Sequence, residues 1–230
     1  MGIGRKLFVL VLSISSLLAC TKKVSTDFIT LKGGHFEDGD RPFFPLAVNY
    51  ILHLQFKDSA CWAAPFRNYE RNDVFRYNDR DSSLMLVKAE LGLIKKMGFN
   101  TVRLVGLTSD LVMKEGDPAL SIRAQYGFGH DSLYALGGDR SRRYFDAVNE
   151  VVTLAEQTGL RLILLVRLVP GQPAYENQWL KMADRFRDDP AVMAYDLFNE
   201  PLYFDIHDRP KREVYELVKD WQRKMRAHAP

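Results

Sequence analysis

The feature that most limits the folds open to this chain is a repeated order of short apolar runs and helical segments. Four apolar runs occur at residues 43–50, 100–105, 160–166 and 191–198. Each is followed, at once or after a long connection, by a segment with apolar residues at helical spacing. The third run is apolar on both faces apart from Arg161, as is usual for a strand buried in a parallel sheet. This β-α order, repeated four times, predicts parallel strands joined by right-handed crossovers.

The predicted helices have recognisable ends. The first is expected to begin near Asp81, a residue type that caps helix N-termini well, and to stop at Gly98. The second is expected to stop at Gly159, and the last two to cover about residues 175–187 and 211–227. Long connections, at about residues 51–81 and 106–140, follow the first two strands and are predicted as loops.

Two architectures fit this order of elements: a doubly wound open sheet and the beginning of a (β/α)8 barrel. An open sheet of the dinucleotide-binding type carries a glycine-rich turn after its first strand, and residues 49–53 contain no glycine. The barrel is therefore favoured. A complete barrel has eight units and about 250 residues, whereas the residues after Pro201 suffice for one helix. The predicted fold class is α/β, of the (β/α)8 TIM-barrel type, with about the first four units in residues 40–230.

The amino terminus has a different composition from the rest of the chain. Arg5 and Lys6 precede the apolar residues 7–12, as in a secretory signal peptide, and this run is too short to span a bilayer permanently. Residues 17–20 (LLAC) resemble a bacterial lipobox, which implies removal of residues 1–19, lipidation of Cys20 and a tether over residues 20–39. The expected location is the bacterial cell envelope, at the outer membrane or its periplasmic face. The alternative is an ordinary signal peptide and a secreted protein.

Composition excludes some classes of function. The 230 residues are 47% hydrophobic, which is enough for one domain with a sizeable core. Loss of residues 1–19 would lower the formal charge from +3 to +1, because it removes two basic residues and no acidic ones. A nearly neutral chain gives no electrostatic reason to bind nucleic acid. With Cys20 lipidated, Cys61 would have no partner for a disulfide, so stability must come from packing.

The fourth strand ends in residues 194–201, which read AYDLFNEP. Pro201 prevents the strand from continuing, so Glu200 sits where the backbone turns, at a strand's carboxyl end. Together with GFNTVRL at residues 98–104 and the order of elements, this motif resembles the clan A glycoside hydrolases, most closely family 5, the cellulase and mannanase type. The resemblance covers about residues 40–230, the amino-terminal half of that fold.

The resemblance implies roles for three residues. Glu200 matches the general acid/base of a retaining glycosidase, and Asn199 matches the residue that contacts the sugar 2-hydroxyl. Arg103 matches the arginine that keeps the nucleophile ionised and oriented. The nucleophilic glutamate belongs to a seventh strand and is absent from this chain, which is therefore expected to be inactive by itself. From the residues alone, Glu200 could instead be a surface acid that caps a loop, and Arg103 could pair with a structural acid such as Asp196.

The substrate expected from the resemblance is a β-linked polysaccharide or oligosaccharide. Trp62, Tyr50 and His130 are the candidate sugar contacts, because aromatic rings stack on sugars and long loops at a barrel's carboxyl end collect binding residues. The alternative for the aromatic residues is packing of the loop onto the barrel. Helix capping explains the acids near residue 80, and no histidines and acids have metal-site spacing, so neither a metal ion nor a cofactor is expected.

Two further expectations concern partners. A half-barrel leaves unpaired strand edges, so we expect copies of the chain to associate through them. Apart from the lipid on Cys20, no membrane contact is expected. The rival hypothesis from another class is a non-catalytic envelope lipoprotein that binds carbohydrate through loops on a degenerate half-barrel.

Overall fold

The computed structural model describes residues 27–57, 60–66, 79–106, 111–113, 120–125, 131–166, 168, 170–197, 199 and 209–229. The strands there are β1 (Ile29–Lys32), β2 (His35–Asp38), β3 (Arg41–Phe43), β4 (Ala47–Lys57), β5 (Ala60–Pro65), β6 (Thr101–Val105), β7 (Leu111–Met113), β8 (Leu120–Gln125), β9 (Asp131–Ala135), β10 (Arg161–Leu165) and β11 (Val192–Asp196). The helices are α1 (Arg80–Lys96), α2 (Asp139–Thr158), α3 (Pro173–Phe186) and α4 (Lys211–His228).

A five-stranded sheet, in the order β11-β10-β6-β4-β5, forms the centre of the fold. Strands β4, β6, β10 and β11 are parallel to their neighbours, whereas β5 pairs antiparallel to β4 at the edge. In this register Asn49 lies beside Arg103, and Arg103 lies beside Ile163. The predicted β-α order is thus confirmed for four units, and the fold is of the (β/α)8 barrel type.

The connections predicted as loops contain strands that the sequence analysis missed. The first strand is not residues 43–50 but runs from Ala47 to Lys57, and its second half pairs with β5. Leu52 and Leu54 are fully buried there, which is the alternation of a covered strand. The second connection carries the antiparallel sheet β7-β8-β9. Strands β1 and β2 lie in the predicted tether, and β2 pairs with β3 just beyond it to complete another antiparallel sheet. Short antiparallel strands give weak periodic signals because their cover comes from distant segments.

Local signals explain the helix ends. Asp79, not Asp81, caps α1: its backbone is extended and its Oδ1 accepts a hydrogen bond of 2.8 Å from the Ser82 N–H. Hydrogen bonds from the backbone and the side chain of Ser82 lower the pKa of the Asp79 carboxyl group. Helix α2 ends at Gly159, as predicted, and this glycine adopts the left-handed conformation with a φ of 69°. In the described part of the chain no helix is long and apolar enough to cross a membrane, and residues 1–20 lie outside it.

The hydrophobic core lies between the sheet and the helices. Val102, Leu104, Leu162 and Leu164 project from the sheet into this core and are almost fully buried. The opposite side of the sheet, which we call the open face, carries Asn49, Ile51, Arg103 and Ile163. Asn49 and Ile51 are exposed, and Arg103 and Ile163 are half-buried. The open face corresponds to the inside of a barrel, and its polar residues are therefore accessible to a ligand.

An ion pair joins the amino-terminal sheet to the central sheet at the start of β10. Arg161, which is only 7% exposed, places Nη2 3.1 Å from Asp38 Oδ1 and donates from Nη1 to the Pro190 carbonyl. The one charge that interrupts the third apolar run thus has a structural partner 123 residues away.

Cys61 is a free thiol in β5. Burial is the main cause that raises the pKa of this thiol, and the negative charge of Glu150 raises it further.

Candidate active site

Three side chains meet on the open face, on β6 and at the end of β11, which lie on either side of β10. Arg103 is the middle residue of β6, Asp196 is the last residue of β11, and Asn199 follows three residues later. Asp196 Oδ2 lies 2.7 Å from Arg103 Nε and 2.6 Å from Nη2. Arg103 Nη2 also donates a hydrogen bond of 2.7 Å to Asn199 Oδ1. The parallel register brings these groups together at one end of the sheet.

Asn49 completes the surroundings of Arg103. Its Oδ1 accepts a longer hydrogen bond of 3.3 Å from Arg103 Nη1, so each nitrogen of the guanidinium has a partner. The side chains of Arg103 and Asp196 are 20% and 30% exposed, respectively, so the pair is partly shielded from water. An arginine held in this way offers a fixed pattern of donors to the open face.

The structure brings together two of the predicted catalytic residues, Arg103 and Asn199. Glu200 lies outside the described residues, although it follows Asn199 directly in the chain. Arg103 pairs with Asp196, which is the structural alternative considered above. The sequence analysis missed Asn49, and the signal that could have found it is its place in the first strand, opposite Arg103 in the register.

Two of the three candidate sugar contacts, Trp62 and Tyr50, lie in strands of the central sheet. Trp62 was predicted in a loop but lies in β5, only 4% exposed, and its Nε1 donates a hydrogen bond of 3.1 Å to Ser83 Oγ of α1. The ring is buried, which matches the alternative considered above, in which the aromatic residues pack the connection onto the barrel. Tyr50 extends from β4 towards α1, where its hydroxyl donates to Glu90 Oε2 at 2.6 Å.

Tyr50 therefore projects from the side of the sheet opposite the open face, because it pairs with Leu104 of the core-facing set. Tyr50 and Arg103 therefore lie on opposite sides of the sheet. His130 lies outside the described residues. No group of three or more histidine, cysteine, aspartate or glutamate side chains in the described ranges is arranged to hold a metal ion.

A parallel β/α sheet with a polar cluster on the inner face, near the carboxyl ends of its strands, defines a protein of the (β/α)8-barrel class, in which active sites lie at that end. The family can be stated as well. The chain belongs to glycosyl hydrolase family 5, whose cellulase model matches residues 87–229 and so includes Arg103, Asp196 and Asn199.

One solved structure with a similar fold is the crystal structure of the native form of the β-glucanase SdGluc5_26A from Saccharophagus degradans. The two chains are 20% identical, with a TM-score of 0.48. The similarity covers 87% of this chain and 51% of the other, so the present chain spans about half the length of that enzyme. No curated protein matches the chain.

Proposed function

We propose that this chain supplies the acid/base half of a retaining glycoside hydrolase that acts on a β-linked polysaccharide or oligosaccharide. The observation that carries the proposal is the contact between Arg103 and Asn199 on the open face, inside the segment that matches the cellulase family. This contact holds a side-chain amide next to the position of Glu200 in the chain, where a sugar hydroxyl could be bound beside the bond to be cleaved.

Glu200 is proposed to protonate the leaving oxygen and then to activate water, while Asn199 binds the sugar 2-hydroxyl. Retention also needs a second carboxylate, about 5–5.5 Å from the first, to form the glycosyl-enzyme. By the family resemblance, that nucleophile belongs to a later strand than those of residues 1–230. Residues 1–230 by themselves are therefore proposed to bind the oligosaccharide without hydrolysing it.

The test measures binding and hydrolysis on the same preparation. Cellotetraose and mannotetraose are titrated into residues 21–230 by calorimetry, and aryl glycosides are used to look for hydrolysis. We expect binding without turnover, and Asn199→Ala should weaken binding about tenfold, as expected for the loss of one well-placed hydrogen bond. Tyr215→Ala, an exposed position on α4, is the control and should leave the affinity unchanged.

Two results would contradict parts of the proposal. Hydrolysis that is lost in Glu200→Gln would mean that both carboxylates lie within residues 1–230; proton NMR of the first-formed anomer would then report whether the configuration is retained. Binding that is indifferent to both Asn199→Ala and Glu200→Ala would favour the non-catalytic carbohydrate-binding lipoprotein instead.

The proposed location is the bacterial cell envelope, through a lipid on Cys20. The lipobox-like residues 17–20 support this, because a diacylated cysteine together with the polar residues after it would hold the domain at a membrane surface. In a bacterial host, the native chain should appear in the membrane fraction, and Cys20→Ser should move most of it to the soluble fraction. Cys61→Ser is the matched control and should distribute like the native chain. If Cys20→Ser also distributes like the native chain, the result would instead support an ordinary secreted protein.

A further inference from the structure

We propose that Asp196 is a positioning residue that acts through Arg103 to set the orientation of the Asn199 amide. The proposal that a sugar hydroxyl is what this amide binds rests on the proposed function, whereas the orientation itself rests on the contacts alone. Asp196 is 93 residues from Arg103 in the chain, and Arg103 is 96 residues from Asn199, so the three groups form a link between two strands that are not neighbours in the sheet.

The first step is the restraint that Asp196 places on Arg103. A single carboxylate oxygen contacts both Nε and Nη2, so the guanidinium is held along one edge and cannot rotate about its long side chain without losing both contacts. Hydrogen bonds between charged groups are about twice as strong as neutral ones. The remaining contact, from Arg103 Nη1 to Asn49 Oδ1 at 3.3 Å, is longer and its acceptor is a neutral amide, so it cannot replace the carboxylate of Asp196.

The second step is the restraint that Arg103 places on Asn199. A guanidinium has donors and no acceptor, so the amide atom that faces it must be the oxygen, and the contact is indeed made by Oδ1. The amide nitrogen of Asn199 therefore has its two hydrogens available for other partners. A carbohydrate oxygen, which can accept a hydrogen bond, is a suitable partner for these donors.

The same chain contains a matched ion pair that lacks the second step. Arg161 and Asp38 also join two separate segments, but Arg161 then donates to a backbone carbonyl, that of Pro190, rather than to a side-chain amide. The loss of Asp38 should loosen the amino-terminal sheet without changing Asn199. Asp38→Ala is therefore the control for the general effect of breaking an arginine–aspartate pair in this fold.

The inference is tested without a ligand by NMR of ¹⁵N-labelled residues 21–230. In the native chain, the Arg103 Nε–H should be protected from exchange with water, and the Asn199 side-chain amide should give one resolved pair of signals. In Asp196→Ala, the Arg103 Nε–H should exchange at least about tenfold faster. The two side-chain amide signals of Asn199 should shift or broaden, because the amide group can then rotate. Asp38→Ala should leave both signals unchanged.

Unchanged Arg103 and Asn199 signals in Asp196→Ala would overturn the inference. If Asp196→Ala fails to fold, Asp196→Asn replaces it: this variant keeps the shape and one acceptor but removes the charge, and the same faster exchange is expected.

A second arm uses cellotetraose as the probe. Asp196→Asn and Asn199→Ala should each weaken binding, and the double variant should bind no more weakly than Asn199→Ala, because Asp196 acts on the sugar only through that amide. Additive losses would overturn the inference. If the native chain does not bind cellotetraose, the proposed function fails, and the NMR measurements still decide whether Asp196 orients Asn199.

Discussion

Replacing Gly106 by alanine is expected to destabilise the fold by about 3–5 kcal/mol. Gly106 directly follows β6 and has a φ of +105°, a conformation that residues with a Cβ rarely adopt. It also passes close to β4, so that an added Cβ would overlap the carbonyl oxygen of Leu52 and come within 3.0 Å of its carbonyl carbon. Both atoms belong to the backbone of a fully buried residue that pairs with Pro65 of β5, so neither can move aside without disturbing the pairing of β4 with β5.

Gly98 provides the matched control for this prediction. Its φ of +96° is similar to that of Gly106, but nothing lies within 4 Å of a Cβ added there. Gly98→Ala should therefore cost only the conformational term, about 1–2 kcal/mol. The free energy of unfolding of both variants can be measured with urea. Equal losses for the two variants would mean that the approach to Leu52 is unimportant and that the backbone conformation alone matters.

The second large effect is expected from two neighbouring residues of β10. Leu162→Ala should cost about 3 kcal/mol, because Leu162 is fully buried against the helices. Ile163→Ala should cost less than about 1.5 kcal/mol, because its side chain lies on the open face and is only half-buried. The two residues are adjacent in one strand, so strand propensity is nearly the same for both. The comparison therefore measures the cover on the two sides of the sheet.

Urea unfolding over a range of protein concentrations gives this result and also tests self-association. If copies of the chain cover one another's open faces or pair through the β11 edge, the stability of the native chain should rise with concentration, and Ile163→Ala should become more costly. Equal losses for Leu162→Ala and Ile163→Ala at low concentration would show that the open face is covered within a single chain. Such a result would contradict the description of the open face as accessible to a ligand.

The success of the sequence-based predictions follows the range of the interactions involved. Gly159 as a helix end and the order of the parallel strands were predicted correctly, because capping and hydrophobic periodicity act over a few residues. The predictions of a loop at Trp62 and of a first strand at residues 43–50 were wrong. Both features depend on the antiparallel pairing of β5 with β4. The helices α1 and α2, which are distant in the sequence, pack over β5, so the local sequence does not reveal this pairing.

The sequence by itself determined the parallel β/α order, the family resemblance and the position of Asn199 and Glu200 just after a strand, because all of these depend on local sequence patterns. Only the tertiary structure decided what Arg103 contacts. Its partners Asp196 and Asn49 lie on two other strands and Asn199 follows the end of one of them, so their meeting depends on strand order and register. Those properties arise from the packing of the whole sheet against its helices, because a shift of one residue would turn each of these side chains to the opposite face.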